Sequence, residues 1–145
     1  MQEIKITQDM LDKARRRAKE LGVLNNSISK GKGNVAGMLG EEIVLKILGG
    51  TLKRSYDYDI VLPDGTTTDV KTKLTTVAPL PSYSCSVSAF NIRQKCDKYT
   101  FVRIKKDLTT GWFLGSIDKL NFFYEAHFVE KGAYDGDNKY KARAS

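Results

Sequence analysis

The run Tyr56-Asp57-Tyr58-Asp59-Ile60-Val61-Leu62-Pro63-Asp64-Gly65-Thr66-Thr67-Thr68-Asp69-Val70-Lys71 decides how the chain is read. An aromatic and aliphatic segment, a Pro-Asp-Gly triplet and a Thr-rich segment together spell a β-hairpin. Pro suits the first position of a tight turn, and Gly suits the left-handed position that closes a three-residue loop. With Pro63, Asp64 and Gly65 as that loop, Leu62 faces Thr66. Counting outward sets Asp59 opposite Asp69 and Asp57 opposite Lys71, and Asp69 and Lys71 share one face of their strand. A slip of one residue would undo every one of these pairings.

Two carboxylates opposed across a ladder, about 5 Å apart at Cβ, repel one another and weaken a hairpin. A divalent cation removes that penalty, since Mg²⁺ is held through one or two carboxylates together with substrate phosphate. A neighbouring Lys71 could then stabilise charge on a phosphate or orient an attacking water. A solvated hairpin face would also carry Asp, Thr and Lys. Asp57 and Asp59, however, are embedded in a Tyr/Ile/Val/Leu run, and Asp-Val-Lys interrupts a second strand-like run, which favours the metal site.

Just upstream, residues 34–48 read as a helix ended by Gly49-Gly50, with Val35, Met38, Leu39, Val44, Leu45 and Leu48 on its apolar side. Glu41 lies three residues before Val44 and seven before Leu48, hence on that side. Glu42 is rotated about 100° away. A carboxylate on the buried side of a helix must be paired or must bind a metal, so Glu41 is preferred over Glu42 as a third acidic group. Gly37 and Gly40 leave room for a close neighbour.

In these residues the chain resembles the PD-(D/E)xK nuclease superfamily, whose pattern is a helix Glu, an acidic residue on one strand, a hairpin turn, and then Asp or Glu, any residue, and Lys. Glu41, Asp59 and Asp69-Val70-Lys71 fill those positions over roughly residues 34 to 104. Tyr58 stands where the pattern often has Pro. The resemblance implies an α/β fold with a restriction-endonuclease-like core, a mixed central β-sheet flanked by helices. It implies a Mg²⁺-dependent DNA endonuclease (Mn²⁺ being an alternative cation), with Glu41, Asp59, Asp69 and Lys71 catalytic. Asp59, Asp69, Glu41 and the Val70 carbonyl would be the metal ligands. The superfamily often forms homodimers, and its polar residues after the motif Lys contact substrate, which nominates Asn91, Arg93 and Gln94. Lys73 is a further candidate DNA contact. Within the family a Holliday-junction resolvase or a homing-type nuclease fits equally. Outside catalysis, a nucleic-acid-binding protein on the same fold that does not cleave is the alternative.

Composition agrees without deciding the matter. The 145 residues suit one domain and one core. A net charge of +7 and a pI near 9.4 favour a polyanionic partner. Cys85 and Cys96 form no CxxC pair and His127 is the sole histidine, which argues against a Cys/His zinc site and a His–Asp relay. No apolar run is long enough to span a membrane. The first residues lack a secretory signal's apolar segment, so the expected location is the cytosol of a bacterium or phage host.

The rest of the chain is read around the hairpin. Residues 1–6 suit a small edge strand. From Thr7, a capping residue, to Leu21 the spacing is helical, with Met10, Leu11, Ala14, Ala18 and Leu21 as its stripe and Gly22 as its end. Arg15, Arg16, Arg17 and Lys19 make either a solvated face or a phosphate-contacting one. Residues 25–34 read as a polar loop in which Lys30 and Lys32 could meet DNA, although the pattern is no P-loop. Residues 83–87 read as a short strand, 88–98 as helical, 99–104 and 112–117 as a second hairpin, 118–127 as an aromatic helix, and 132–145 as a loop with a weak last strand.

Overall fold

The computed structural model describes residues 1–25, 32–53, 55–129 and 140–143. The chain opens with β1 (Gln2–Lys5), which pairs along the sheet edge as expected, and then enters α1 (Gln8–Asn25). The Thr7 hydroxyl accepts the Met10 N–H at 3.2 Å, capping the first turn. Gly22 does not end α1, which continues through Asn25. The second helix, α2 (Lys32–Leu48), begins two residues earlier than its apolar pattern suggests. It ends where Gly49 (φ +76°) and Gly50 (φ +104°) take left-handed backbone. A side chain at Gly50 would also strike the Val61 carbonyl oxygen, at 2.4 Å from its Cβ.

The strands that follow are β2 (Thr51–Leu52), β3 (Ile60–Val61), β4 (Thr67–Thr75) and β5 (Cys85–Ser88). A 3₁₀ turn (Ala89–Arg93) leads on to β6 (Lys98–Lys105) and β7 (Thr110–Asp118). Helix α3 (Lys119–Glu125), β8 (His127–Val129) and β9 (Tyr140–Arg143) complete the described chain. The central sheet has six strands in the order β1-β7-β6-β4-β3-β2. Only β4 and β6 run parallel, joined by the crossover through β5; the remaining pairs are antiparallel. The sheet is therefore mixed and flanked by helices, as the sequence implies.

One face of the sheet carries α1 and α2, sealed by Ile4, Met10, Ala14, Leu39, Ile43, Ile60 and Val102 among others. The opposite face carries Tyr99, Phe101 and Phe122 with the two buried cysteines, Cys85 and Cys96. Tyr99 and Phe122 meet edge to face, with ring centroids 5.5 Å apart. Covering this face is a small second sheet, β5-β9-β8, parallel throughout. The short strand read near residues 83–87 and the weak last strand read within 132–145 are β5 and β9. Their pairing is not written in the sequence pattern, because the strands are short and far apart in the chain. Residues 88–98 also differ from expectation: after the 3₁₀ turn, Gln94 is extended (φ −67°, ψ 145°). His127 starts a strand rather than closing the aromatic helix. Among the described residues no helix is long and apolar enough to cross a membrane.

Candidate active site

The hairpin turn sets the register of the site. The Leu62 N–H donates to the Thr66 carbonyl at 2.8 Å, and Gly65, at φ +86°, donates back to Leu62 at 2.9 Å. Asp64 Oδ1 accepts both the backbone N–H (2.9 Å) and the hydroxyl (2.6 Å) of Thr66, a local bridge that fixes the loop length. Ile60 then pairs with Thr68 and Val61 with Thr67. The ladder stops at Ile60 and Thr68, and the Asp59 N–H turns to the Thr68 carbonyl, so Asp59 and Asp69 are neighbours at the end of the hairpin rather than a ladder pair. Asp57 does not face Lys71: its Oδ1 instead accepts the Lys95 N–H at 3.0 Å.

Asp59 is tied down on several sides. Its N–H donates to the Thr68 carbonyl at 3.0 Å, and its Oδ2 accepts the Val70 N–H at 2.8 Å. Its carboxyl hydrogen-bonds Asp69 and is pushed up to about 8, chiefly by burial, then by the charges of Asp69 and Glu41. The Val70 N–H pulls the other way and is outweighed. At neutral pH Asp59 therefore keeps its proton. Asp69 is buried (6% exposed), and its Oδ2 lies 2.7 Å from Lys71 Nζ. Lys71 also lies over the Tyr99 ring, 5.8 Å from its centroid, and the Tyr99 hydroxyl donates to the Asn91 carbonyl at 3.0 Å.

Glu41 reaches the site because α2 crosses β4 closely. A Cβ at Gly40 would come within 2.0 Å of Thr72 Oγ1, so only glycine permits this approach. Gly37 has open space and plays no such part. Glu41 is buried (6% exposed), and Arg17 of α1 bonds it through Nη2 while holding Glu42 through Nη1 at 2.7 Å. Both acidic residues of the helix thus share one guanidinium, a geometry suited to its fork. Arg17 was not singled out by sequence, although it sits three residues after Ala14 and seven after Met10, on the flank of the buried stripe.

The structure brings Glu41, Asp59, Asp69 and Lys71 together. The proposed DNA contacts divide. Lys73 is exposed on β4, two residues beyond Lys71 and on the same face, and Arg93 is exposed beside the 3₁₀ turn. Gln94 is not available to a substrate. It is buried (7% exposed), with Nε2 donating to the Tyr56 carbonyl at 2.8 Å. Asn91 is half-buried, and its carbonyl accepts from both Tyr99 and the Gln94 N–H. Lys30 lies outside the described residues; Lys32 opens α2, with its side chain outside the described ones.

Among the described residues no three Asp, Glu, His or Cys side chains form a ready-made ligand cage. The donor set nonetheless suits a hard divalent cation: clustered carboxylate oxygens, one of them carrying a proton that a cation would displace. No protein-family model and no curated protein matches the chain.

Proposed function

We propose that this protein is a metal-dependent DNA endonuclease with a restriction-endonuclease-like core. What supports the reading above all is the adjoining carboxyls of Asp59 and Asp69 beside Lys71, with Glu41 close enough to act on the charge of Asp59. A hairpin with no task for those groups gains nothing from burying like charges together. Asp59, Asp69 and the Val70 carbonyl would hold Mg²⁺ or Mn²⁺, with Glu41 completing the set. When bound, the cation acidifies an attacking water and neutralises charge on the phosphate. Lys71 would steady the extra negative charge of the reacting phosphate, at the cost of loosening its pair with Asp69. Arg17 would hold Glu41 in place. The surplus of positive charge supplies sequence-independent affinity for the DNA backbone.

One observation favours a second reading, a DNA-binding protein on the same fold that does not cleave. The Lys71–Asp69 pair, together with a proton on Asp59, balances the site electrically without any cation. Calorimetric titration with Mn²⁺, run beside binding to linear, nicked, branched and supercoiled DNA, separates the two. Cation uptake that Asp69→Asn abolishes supports the nuclease. DNA binding with no cation uptake supports the binder.

A further inference from the structure

We propose that Tyr99 is the positioning residue that keeps Lys71 aimed at the reacting phosphate once Asp69 has turned its oxygens to the metal; the proposal rests on the nuclease reading above. Asp69 and Tyr99 are partners across β4 and β6, and Lys71 lies two residues beyond Asp69 on the same face. The Lys71 ammonium lies between Asp69 Oδ2, at 2.7 Å, and the Tyr99 ring, whose centroid is 5.8 Å away. When Asp69 ligates a cation, its charge is shared with that cation and its hold on Lys71 slackens. The face of an aromatic ring attracts an ammonium and competes for no metal, so the second hold persists. The Lys71 side chain is only 25% exposed, which strengthens that attraction by limiting access of water.

The ring is fixed from several sides. Tyr99 is fully buried, edge to face with Phe122 and also with Phe123, whose centroid is 6.1 Å away. Those two side chains of α3 are themselves edge to face at 5.2 Å. The Tyr99 hydroxyl donates to the Asn91 carbonyl at 3.0 Å, in the 3₁₀ turn. Lys119, the first residue of α3, donates to the carbonyls of Ile92 (2.7 Å) and Gln94. Helix and turn are thus tied to each other as well as to the ring.

Packing alone does not ask for this arrangement. Phenylalanine would fill the same space without burying a hydroxyl that must then find a partner. The bond to Asn91 stops the ring from tilting away from Lys71, so α3 and the 3₁₀ turn bear on the site through Tyr99.

The test replaces Tyr99 in the full chain and reads single-turnover cleavage beside an NMR signal that needs no cleavage. Tyr99→Leu should slow cleavage about tenfold, and Tyr99→Phe should recover most of the loss. Tyr99→Phe strands no acceptor, because the Asn91 carbonyl keeps the Gln94 N–H at 3.0 Å. One, two and three fluorines on that phenylalanine ring withdraw charge from its face with little change of shape. The logarithm of the rate should fall in step with their number, by about tenfold in all, while melting temperature and duplex affinity do not follow that order. The Lys71 Cε–H signal, identified by its loss in Lys71→Ala, should lie upfield of the other lysines in chelator and stay there with Mg²⁺. In Tyr99→Leu it should join the others.

Equal rates across the fluorinated series, beside a Lys71→Ala variant that no longer cuts, would overturn the role of Tyr99 while leaving the nuclease reading intact. A rate that follows melting temperature instead of fluorine number makes Tyr99 a core residue only and overturns it too. So does a Lys71 signal that moves to join the other lysines when Mg²⁺ is added. Wild type that cuts no DNA removes the nuclease reading and this role together.

Discussion

Asp59→Asn should make the metal-free protein more stable, in a way that only its retained proton explains. Each tenfold change in proton affinity is worth about 1.4 kcal/mol. Carrying the Asp59 carboxyl from 3.8 to about 8 therefore costs the fold about 4 kcal/mol at pH 7, where the unfolded chain is ionised and the folded one is not. The sign follows from the raised value. The fold binds the extra proton, so the group costs nothing below about pH 4. It erodes stability steadily as pH rises, and the loss levels off above about pH 8. Asparagine mimics the protonated acid: its Oδ1 can still accept the Val70 N–H, and its amide can donate to Asp69. In thermal melts with chelator, Asp59→Asn and wild type should coincide near pH 4. They should diverge to roughly 15–20 °C by pH 8 in favour of the variant and then run parallel. Subtracting the two curves cancels every other titrating group. Mg²⁺ should raise the wild-type melting temperature more at pH 8 than at pH 6, because binding must expel the proton. A variant that melts lower than wild type at every pH, with the wild-type slope, would refute the reasoning.

Asp69→Ala should abolish cleavage while DNA affinity, measured by anisotropy, stays within a few-fold, because backbone contacts elsewhere supply it. Glu41→Gln should slow single-turnover cleavage more than Glu42→Gln, although one guanidinium holds both; the reverse order would transfer the role to Glu42. Arg17→Met strands two carboxylates and should cost about 3 kcal/mol in urea unfolding, with Arg17→Lys recovering only part because the fork is lost. Gly40→Ala drives a Cβ toward Thr72 Oγ1 and should cost about 1–3 kcal/mol, a loss that Thr72→Ala in the same chain partly repairs.

The hairpin was legible because its turn chemistry is local. Pro63, Asp64 and Gly65 specify loop length, and loop length specifies which residues oppose. The inward position of Glu41 followed from helical spacing alone, and Gly40 correctly marked a close approach. What failed was non-local. Asp57 leaves the ladder because Lys95, far along the chain, offers it a backbone N–H. Gln94 reads as a surface polar residue until Tyr56 is seen to use its amide. The β5-β9-β8 sheet joins strands from distant parts of the chain, which no short-range pattern encodes. Arg17 lay among other basic residues with no local sign that α2 would present two acids to it. In the helices the errors were at the ends, where α1 runs past Gly22 to Asn25.

The most direct test of the catalytic site compares wild type and Lys71→Ala on supercoiled plasmid under single-turnover conditions, with Mg²⁺, with Mn²⁺ and with chelator. Wild type should nick or linearise the plasmid with either cation and not in chelator. Lys71→Ala, folded and still able to bind the DNA, should leave it intact in all three. Wild type that binds plasmid and cation without cutting, or Lys71→Ala that cuts at the wild-type rate, would contradict the assignment of Asp59, Asp69 and Lys71 as a catalytic site.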